Sequence, residues 1–284
     1  MKIFFAFMVL LLGCAFPLAA QDDDADVQWF ENLFVVPRNK SLDEEMRALE
    51  IKRLNAREIQ DKKAESKAMI ELGVLHLTRV NDYEQALGWL IRSLKIDDSL
   101  AYHREEIFTY LAMARVFEEV GDYVKSNEFL SEADAINSTD DDLIMKSLIF
   151  NESGRVKASH GNLDEAFEDY NLVLDLSRKL ELSSREADAL FHLGQLLAKN
   201  KKYNEALKFH KDGLAIRRKL RDKTGEAMSL NDIGTLYVLM NNYERALANH
   251  VAALEIRKKL KDDGGLAQSY NNVGELYILS LIHI

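Results

Sequence analysis

Apolar residues are spaced along most of this chain as they are on one side of an α-helix. Leu230, Ile233 and Tyr237 show the spacing of three and four residues that brings side chains together on one helix face. Polar pairs such as Asn241-Asn242 separate these stretches. The pattern predicts helix pairs whose first helices begin near residues 64, 104, 144, 184 and 224 and whose second helices begin near residues 83, 123, 163, 203 and 243, with a lone first helix near residue 264.

The helical pattern recurs with a fixed period of forty positions. The period is marked by two series of small residues, which are Gly154, Gly194, Gly234 and Gly274, and Ala166, Ala206 and Ala246. A glycine inside a helix costs about 1 kcal/mol relative to alanine. Its recurrence therefore predicts that two helices approach closely at each glycine, with the alanines as the small residues opposite.

Polar pairs between the two helices of a repeat fit tight turns. The pairs are Asn81-Asp82, Gly121-Asp122, Gly161-Asn162 and Asn241-Asn242. The first residue of each pair tolerates the left-handed conformation that ends a helix, and the second suits the N-cap of the next helix. Lys201-Lys202 departs from this rule, and the first repeat has one extra residue between Gly73 and Asn81.

The repeat resembles the tetratricopeptide repeat. Leu230-x2-Ile233-Gly234-x2-Tyr237 followed by Ala246-x3-His250 is similar to that family's Leu-Gly-x2-Tyr helix and its Ala-x3-aromatic partner helix. The family's usual repeat has about 34 residues, and the longer form is similar to repeats of G-protein-signalling adaptors and of many bacterial signalling proteins. Over residues 64–278 the resemblance implies an all-α fold, a right-handed α-solenoid of antiparallel helix pairs.

The N-terminus has the layout of a secretory signal peptide. A basic Met1-Lys2 precedes an apolar run, which Pro17-Leu18-Ala19-Ala20 ends just before an acidic stretch. We expect residues 1–20 to be a signal peptide cleaved near Ala20, which predicts an exported, periplasmic or secreted protein. A lipoprotein signal at Cys14 and an uncleaved membrane anchor are the alternatives.

The segments that flank the repeats are predicted separately. Residues 21–40 are expected to be an acidic, partly disordered lead. Ser41-x2-Glu44 is a capping box, which predicts a helix over residues 41–63 that covers the first repeat. Residues 279–284 match a frame translation of the transposon-end DNA used in sequencing libraries, so we expect a non-native tail on a truncated sequence.

Composition excludes several classes of function. Only two of the 284 residues are proline, as expected of a nearly all-helical chain. The net charge of −10 argues against nucleic acid as the partner, because phosphate binding needs a basic surface. Cys14 is the only cysteine, so no disulfide or thiol nucleophile is expected after cleavage.

Motifs for catalysis and metal binding are missing from the sequence. It has no phosphate-binding loop and no hydrolase or zinc signature. His210 and His250 lie one repeat apart without further metal ligands nearby, so we interpret them as replacements for the usual packing aromatic. We expect no cofactor, no metal and no enzyme activity, while a catalytic output domain beyond the truncated end stays open.

The resemblance also implies where a ligand binds. In the family, the first helix of each pair lines a concave groove. Carried onto this sequence, the predicted groove residues are Leu111, Arg115, Asn151, Arg155, Phe191, Gln195, Asn231, Thr235, Asn271 and Glu275. The three asparagines share one position and are expected to bond the backbone of an extended peptide, while Arg115 and Arg155 are expected to hold a carboxylate. The alternative is that the asparagines are ordinary exposed helix residues.

These features predict a non-catalytic scaffold outside the cytoplasm that binds a protein or peptide. The resemblance implies the truncated sensory part of a bacterial signal-transduction protein, and a free-standing periplasmic or secreted adaptor is the alternative. No membrane contact is expected apart from the signal peptide or an anchor. Association of two copies through exposed repeat edges stays open.

Overall fold

The structure is a computed structural model that describes residues 18–35 and 41–282, with side chains over residues 25–35 and 41–278. Most of the predicted signal peptide, residues 1–17, lies outside the described residues. The α-helices of the described part are α1 Leu18–Asn32, α2 Leu42–Glu58, α3 Lys62–Leu75, α4 Tyr83–Leu100, α5 His103–Val120, α6 Tyr123–Asp140, α7 Leu143–His160, α8 Leu163–Lys179, α9 Ser183–Lys199, α10 Tyr203–Leu220, α11 Lys223–Leu239, α12 Tyr243–Leu260 and α13 Asp263–Ile282.

Helix starts follow the sequence period. The predicted starts of the second helices are confirmed, because α4, α6, α8, α10 and α12 begin at Tyr83, Tyr123, Leu163, Tyr203 and Tyr243. The first helices begin one or two residues before the predicted positions, as at His103 and Ser183. Among the described residues, no helix is both long enough and apolar enough to cross a membrane.

Turn geometry confirms most of the predicted polar pairs. Asn81 has a φ of 57° and Gly121 a φ of 83°, and the Asp82 carboxylate accepts a hydrogen bond from the backbone N–H of Gln85. Asn162 is the exception, because its side chain makes no capping hydrogen bond. Lys201 also adopts a left-handed φ of 60°, so packing of α9 against α10 imposes the turn on a residue that does not favour it.

The extra residue of the first repeat lies in a π-helical turn. This turn, His76–Val80, directly follows α3 and ends at Asn81. A π-helical turn holds one more residue than an α-helical turn. The insertion is therefore absorbed inside the helix, and α4 still begins at the expected Tyr83.

The chain forms two compact units, Met1–Lys146 and Ser147–Ile284. In unit 1, consecutive helices from α2 to α6 contact each other, and in unit 2 the same holds from α8 to α13. Turns of two or three residues reverse the chain direction between paired helices. Each unit is therefore a stack of antiparallel helix pairs, and the predicted all-α solenoid is confirmed.

The N-terminal segments differ from the prediction. Within residues 21–40, expected to be partly disordered, the structure has the helical residues of α1 up to Asn32. Helix α2 follows Ser41 and packs against α3. Ser41, however, makes no side-chain capping hydrogen bond, so the helix starts there without the predicted capping box.

Rings, and not alanines, lie opposite three of the four recurring glycines, which are Gly154, Gly194 and Gly234. A Cβ built at Gly194 would lie 2.7 Å from the His210 ring, and one at Gly154 would lie 3.0 Å from the Tyr170 ring. Ala206 is fully buried but is not among the atoms nearest to Gly194. The predicted close approach is thus present, but the glycine makes room for the large residue four positions after the alanine.

Candidate protein-binding face

We define the first-helix face as the side of α9, α11 and α13 formed by Asp188, His192, Gln195, Asn231, Asp232, Thr235, Asn271, Asn272 and Glu275 in unit 2. It includes most of the predicted groove residues of that unit. Thr235, Asn271 and Glu275 are exposed and Gln195 is half-buried. These residues remain candidates for ligand contact.

Two predicted groove residues are part of the core. Leu111 is completely buried in unit 1, and only 6% of Phe191 is exposed in unit 2. The Phe191 ring packs edge-on against His210, with 5.4 Å between the ring centroids. The helix rotation turns both side chains inward, which corrects the prediction that they line a groove.

Both predicted carboxylate-binding arginines already have partners. In unit 1, the Arg115 guanidinium lies over the Phe34 ring, 3.4 Å from its centroid. In unit 2, Arg155 Nη2 lies 3.0 Å from a Glu152 carboxylate oxygen. Glu152 is almost completely buried. The structure therefore corrects the expected basic start of the groove, since both charges serve contacts within the chain.

The three asparagines of the predicted row have different environments. Asn151 is half-buried, Asn231 is only 4% exposed, and Asn271 is exposed. Asn231 is buried because Asn272 of α13 donates a hydrogen bond of 2.7 Å to its Oδ1. The three asparagines therefore do not form a row that is equally accessible to a ligand.

Side-chain hydrogen bonds link the first helices of successive repeats instead. Gln195 Nε2 on α9 donates to Asp232 Oδ2 on α11 at 3.1 Å. Asn272 on α13 donates to Asn231 on α11. These bonds hold the polar side chains of three helices in fixed positions, which lowers the entropy that ligand binding would otherwise cost.

Sequence reasoning missed one position of this face. His192, Asp232 and Asn272 occupy equivalent positions of successive repeats, and each directly follows a predicted groove residue. Two of them form the links between helices. The sequence period could have revealed this position, because the residues directly after Phe191, Asn231 and Asn271 form a second polar series with the same spacing of forty.

A buried arginine positions one carboxylate of the face. Arg217 is 3% exposed and donates to the backbone oxygen of Gly225 at 3.1 Å and to Ser229 Oγ at 2.8 Å. Its Nη2 lies 2.6 Å from Asp188 Oδ1. Arg217 of α10 therefore joins α9 to α11, and Asp188 is held at the surface by a charge-assisted hydrogen bond.

We call the hydrogen bonds of the buried arginine to a backbone oxygen and a serine of the next first helix the arginine latch. This latch recurs one repeat later. Arg257 donates at 2.8 Å to the Gly265 backbone oxygen and at 2.8 Å to Ser269 Oγ. Its third partner is Gln268 Oε1, at 3.1 Å. The contacts of the arginine with the next first helix thus recur in two successive repeats, but the third partner differs, because Asp188 lies on the preceding first helix α9 whereas Gln268 lies on α13 with Gly265 and Ser269.

Histidines near the face are neutral around pH 7. Burial lowers the pKa of His210 to about 4. Burial also lowers the pKa of His192 and of His250, although nearby aspartates act in the opposite direction. The charges that remain at the first-helix face are mainly the carboxylates of Asp232 and Glu275, because the charge of Asp188 is paired with that of Arg217.

Comparison with known proteins identifies the repeat. Residues 147–219 match one model of the tetratricopeptide repeat, and residues 227–260 match a second. A comparison with curated protein sequences found no match.

Several solved structures share the fold at low sequence identity. BtubC (BKLC) from P. vanneervenii is 18% identical with a TM-score of 0.68, over 78% of this chain and 93% of that one. The STAND protein with a tetratricopeptide repeat sensor from Pyrococcus horikoshii is 16% identical with a TM-score of 0.67, over 92% of this chain and 42% of that one. The apo form of RapI is 15% identical with a TM-score of 0.56, over 92% of this chain and 98% of that one.

Sequence identities this low show only that the fold is shared, and they carry no information about a shared activity. This chain spans less than half of the STAND protein. The matching repeat models, the sequence period and the stacked helix pairs all agree. The chain therefore contains tetratricopeptide repeats, which the matching family models place at residues 147–219 and 227–260.

Proposed function

We propose that the chain is a non-catalytic scaffold that binds an extended segment of another protein on the first-helix face of unit 2. The observation that carries the proposal is the pair of hydrogen bonds from Gln195 to Asp232 and from Asn272 to Asn231. They arrange polar groups of three helices before a ligand arrives. Repeats of this family serve protein interaction, which is consistent with such a face.

The charges of the face favour a basic ligand. Asp232 and Glu275 supply carboxylates, while the charge of Asp188 is paired with that of Arg217, and the neighbouring histidines are neutral near pH 7 because burial lowers their pKa. The exposed amide of Asn271 and the hydroxyl of Thr235 offer hydrogen bonds to a peptide backbone. We therefore propose a segment with lysine or arginine side chains as the ligand, in place of the carboxylate expected from the sequence.

A binding array tests the proposal directly. The purified full chain is applied to immobilised short peptides of graded charge, and an affinity is then measured for the best binder by fluorescence anisotropy. Asp232→Asn removes one carboxylate and is expected to weaken a basic peptide about tenfold or more. Glu244→Gln is the matched control, because it removes the same charge from an exposed position of α12 outside the face.

Two results would contradict this proposal. One is equal loss of affinity in Asp232→Asn and Glu244→Gln, which would mean that only the net charge of the protein matters. The other is a preference of the array for acidic peptides. Either result would exclude the first-helix face of unit 2 as a site for basic segments.

We also propose that the scaffold acts outside the cytoplasm as the sensory part of a signal-transduction protein. The basic, apolar and small-residue order of residues 1–20 supports export. Support for sensing is the similarity in fold to a protein whose tetratricopeptide repeat is described as a sensor. A free-standing periplasmic or secreted adaptor is the second candidate.

Reporter fusions and the full gene separate these possibilities. Residues 1–40 fused to alkaline phosphatase are expected to give an active enzyme in a bacterial host, since that enzyme needs the oxidising periplasm. A deletion of residues 3–16 is expected to abolish the activity. In the genomic sequence, an apolar run of about 20 residues after the repeats would support the sensor, and a stop codon after one further polar helix would support the adaptor.

A further inference from the structure

Helix α1 lies across the first helices of unit 1, α3 and α5. Val27 and Phe30 on α1 are completely buried. The Phe30 ring stacks on Phe108 of α5 with 5.0 Å between centroids, and Trp29 meets the same ring edge-on at 5.7 Å. Phe108 of α5 thus packs against both Trp29 and Phe30 of α1.

Polar contacts surround this aromatic centre. Asp26 lies 2.6 Å from Lys67 Nζ on α3 and 3.9 Å from an Arg104 nitrogen on α5. Trp29 Nε1 donates to Glu71 Oε1 at 2.8 Å. Buried aromatic anchors inside a polar rim are the arrangement of a specific binding interface.

Beyond the helix end, Phe34 adds a further contact. The Arg115 guanidinium of α5 covers its ring, and Phe34 packs edge-on against Phe30 with 5.3 Å between the centroids. The contacts of the segment therefore run from Asp26 to Phe34. They give the pattern Asp-x2-Trp-Phe-x3-Phe.

The surface under α1 corresponds by sequence position to the first-helix face of unit 2. Phe108 and Asp188 hold equivalent positions two repeats apart, and so do Arg115 and Gln195. Unit 1 has an aromatic and a cation at positions where unit 2 has a carboxylate and an amide. The same side of the repeat therefore carries aromatic and basic side chains and is occupied in unit 1, whereas it is polar and acidic in unit 2.

The end of α1 packs less tightly than its centre. Asn32, Leu33 and Val35 border a cavity of about 520 Å³ whose other walls come from α2, from α3 and from the π-helical turn. Val35 is 67% exposed. This end of α1 is therefore less buried than its centre, where Val27 and Phe30 are completely covered.

We propose that this surface of unit 1 is a binding site for an amphipathic aromatic helix and that α1 occupies it as an intramolecular ligand. The partner it fits is a helix of another protein with the pattern Asp-x2-Trp-Phe-x3-Phe, which displaces α1. The acid of that helix meets Lys67 and Arg104, and its aromatics meet Phe108. Binding is then controlled by the competition between α1 and the partner helix.

A peptide competition experiment tests this site. The probe is a fluorescein-labelled peptide of residues 21–35, and the acceptor is the full chain carrying Trp29→Ala and Phe30→Asp, which release α1. We expect this variant to bind the probe at least tenfold more tightly than the unaltered chain, whose site is filled. Adding Phe108→Asp to the variant, or placing Phe30→Asp in the probe, is expected to abolish binding.

The experiment has a clear contrary outcome and a safeguard. A released variant that keeps the circular dichroism of the unaltered chain but binds the probe no better overturns the proposal.

If the variant does not fold, the proposal is tested by measuring hydrogen exchange of the unaltered chain in excess unlabelled peptide. Faster exchange confined to residues 25–35 supports displacement, and unchanged exchange at a saturating peptide concentration overturns it. Asp232→Asn in the acceptor is expected to leave probe binding unchanged, which separates this site from the one proposed in unit 2.

Discussion

The ring of His210 fills the space in front of Gly194, where a Cβ on the glycine would lie 2.7 Å from the ring Cδ2. His250 and Gly234 repeat this relationship, also at 2.7 Å. Both rings are buried, with at most 2% of either residue exposed. The glycine and the ring are one packing unit that sets how closely the two helices of a repeat approach.

Gly194→Ala is expected to destabilise the protein. The added methyl group overlaps the His210 ring, and overpacking of this kind costs about 1–3 kcal/mol. Gly274→Ala is the matched control, because Gly274 holds the same repeat position but has no atom within 4 Å of its Cβ. The control is expected to gain up to about 1 kcal/mol from helix propensity. Urea unfolding measures both, and equal effects would contradict the packing account.

Acidification is expected to destabilise unit 2 through His210. Burial lowers its pKa from 6.5 to about 4, so the unfolded chain takes up a proton at a higher pH than the folded chain. The unfolding free energy therefore falls as pH decreases from 6.5 towards 4, by about 3 kcal/mol if the whole shift is realised. Below the folded pKa no further loss from this residue is expected.

His210→Phe is the variant that isolates this effect. Tyr170 occupies the same repeat position over Gly154, so an aromatic ring fits there. Unfolding free energies of the two proteins are measured in urea at pH 7, 6, 5 and 4. The difference between them is expected to grow in favour of the variant as pH falls, and a constant difference would show that His210 titrates normally.

Asp97 has the opposite influence in unit 1. It is completely buried, and burial raises its pKa to about 6 although Ser93 and Thr109 donate hydrogen bonds to it. Because the folded pKa is above the unfolded value of 3.8, the charged carboxylate destabilises the fold at pH 7. This penalty decreases as pH falls through 6 and is absent below 3.8.

Asp97→Asn is therefore expected to stabilise the protein at pH 7. Removing the buried charge gains about 1–3 kcal/mol, and the gain is expected to shrink at pH 5. Asn137, the residue one repeat later, is buried at the same position, so the amide suits the site. Thermal unfolding at the two pH values tests this, and a destabilised variant at pH 7 would mean that the hydroxyl contacts outweigh desolvation.

Arg217 and its neighbour Arg218 are expected to differ in their contribution to stability. Arg217→Met removes the hydrogen bonds to Gly225 and Ser229 and is expected to cost about 2 kcal/mol. Arg218→Met removes an ion pair to Glu226 from a side chain that is 55% exposed, and exposed pairs contribute less than about 1 kcal/mol. Urea midpoints that shift equally would contradict the arginine latch between α10 and α11.

Local sequence determined the helices and their turns. The start of α4 at Tyr83 and the left-handed Asn81 were predictable because caps and turn residues act over a few neighbouring positions. The sequence period then supplied the stacking, since each amphipathic helix must bury its apolar side against the next helix. Even Lys201 adopts the left-handed turn conformation that the period predicts, although lysine does not favour it.

Tertiary structure alone decided which side chains reach the surface. Leu111 and Asn231 belong to the predicted groove by position, yet both are buried, because a small helix rotation or a neighbouring amide is enough to cover a side chain. The docking of α1 on Phe108 and the link from Gln195 to Asp232 join residues that are far apart in the chain. Contacts of this range depend on the packing of whole helices, so the sequence by itself determined the repeat, and the fold decided which side chains are exposed to a partner.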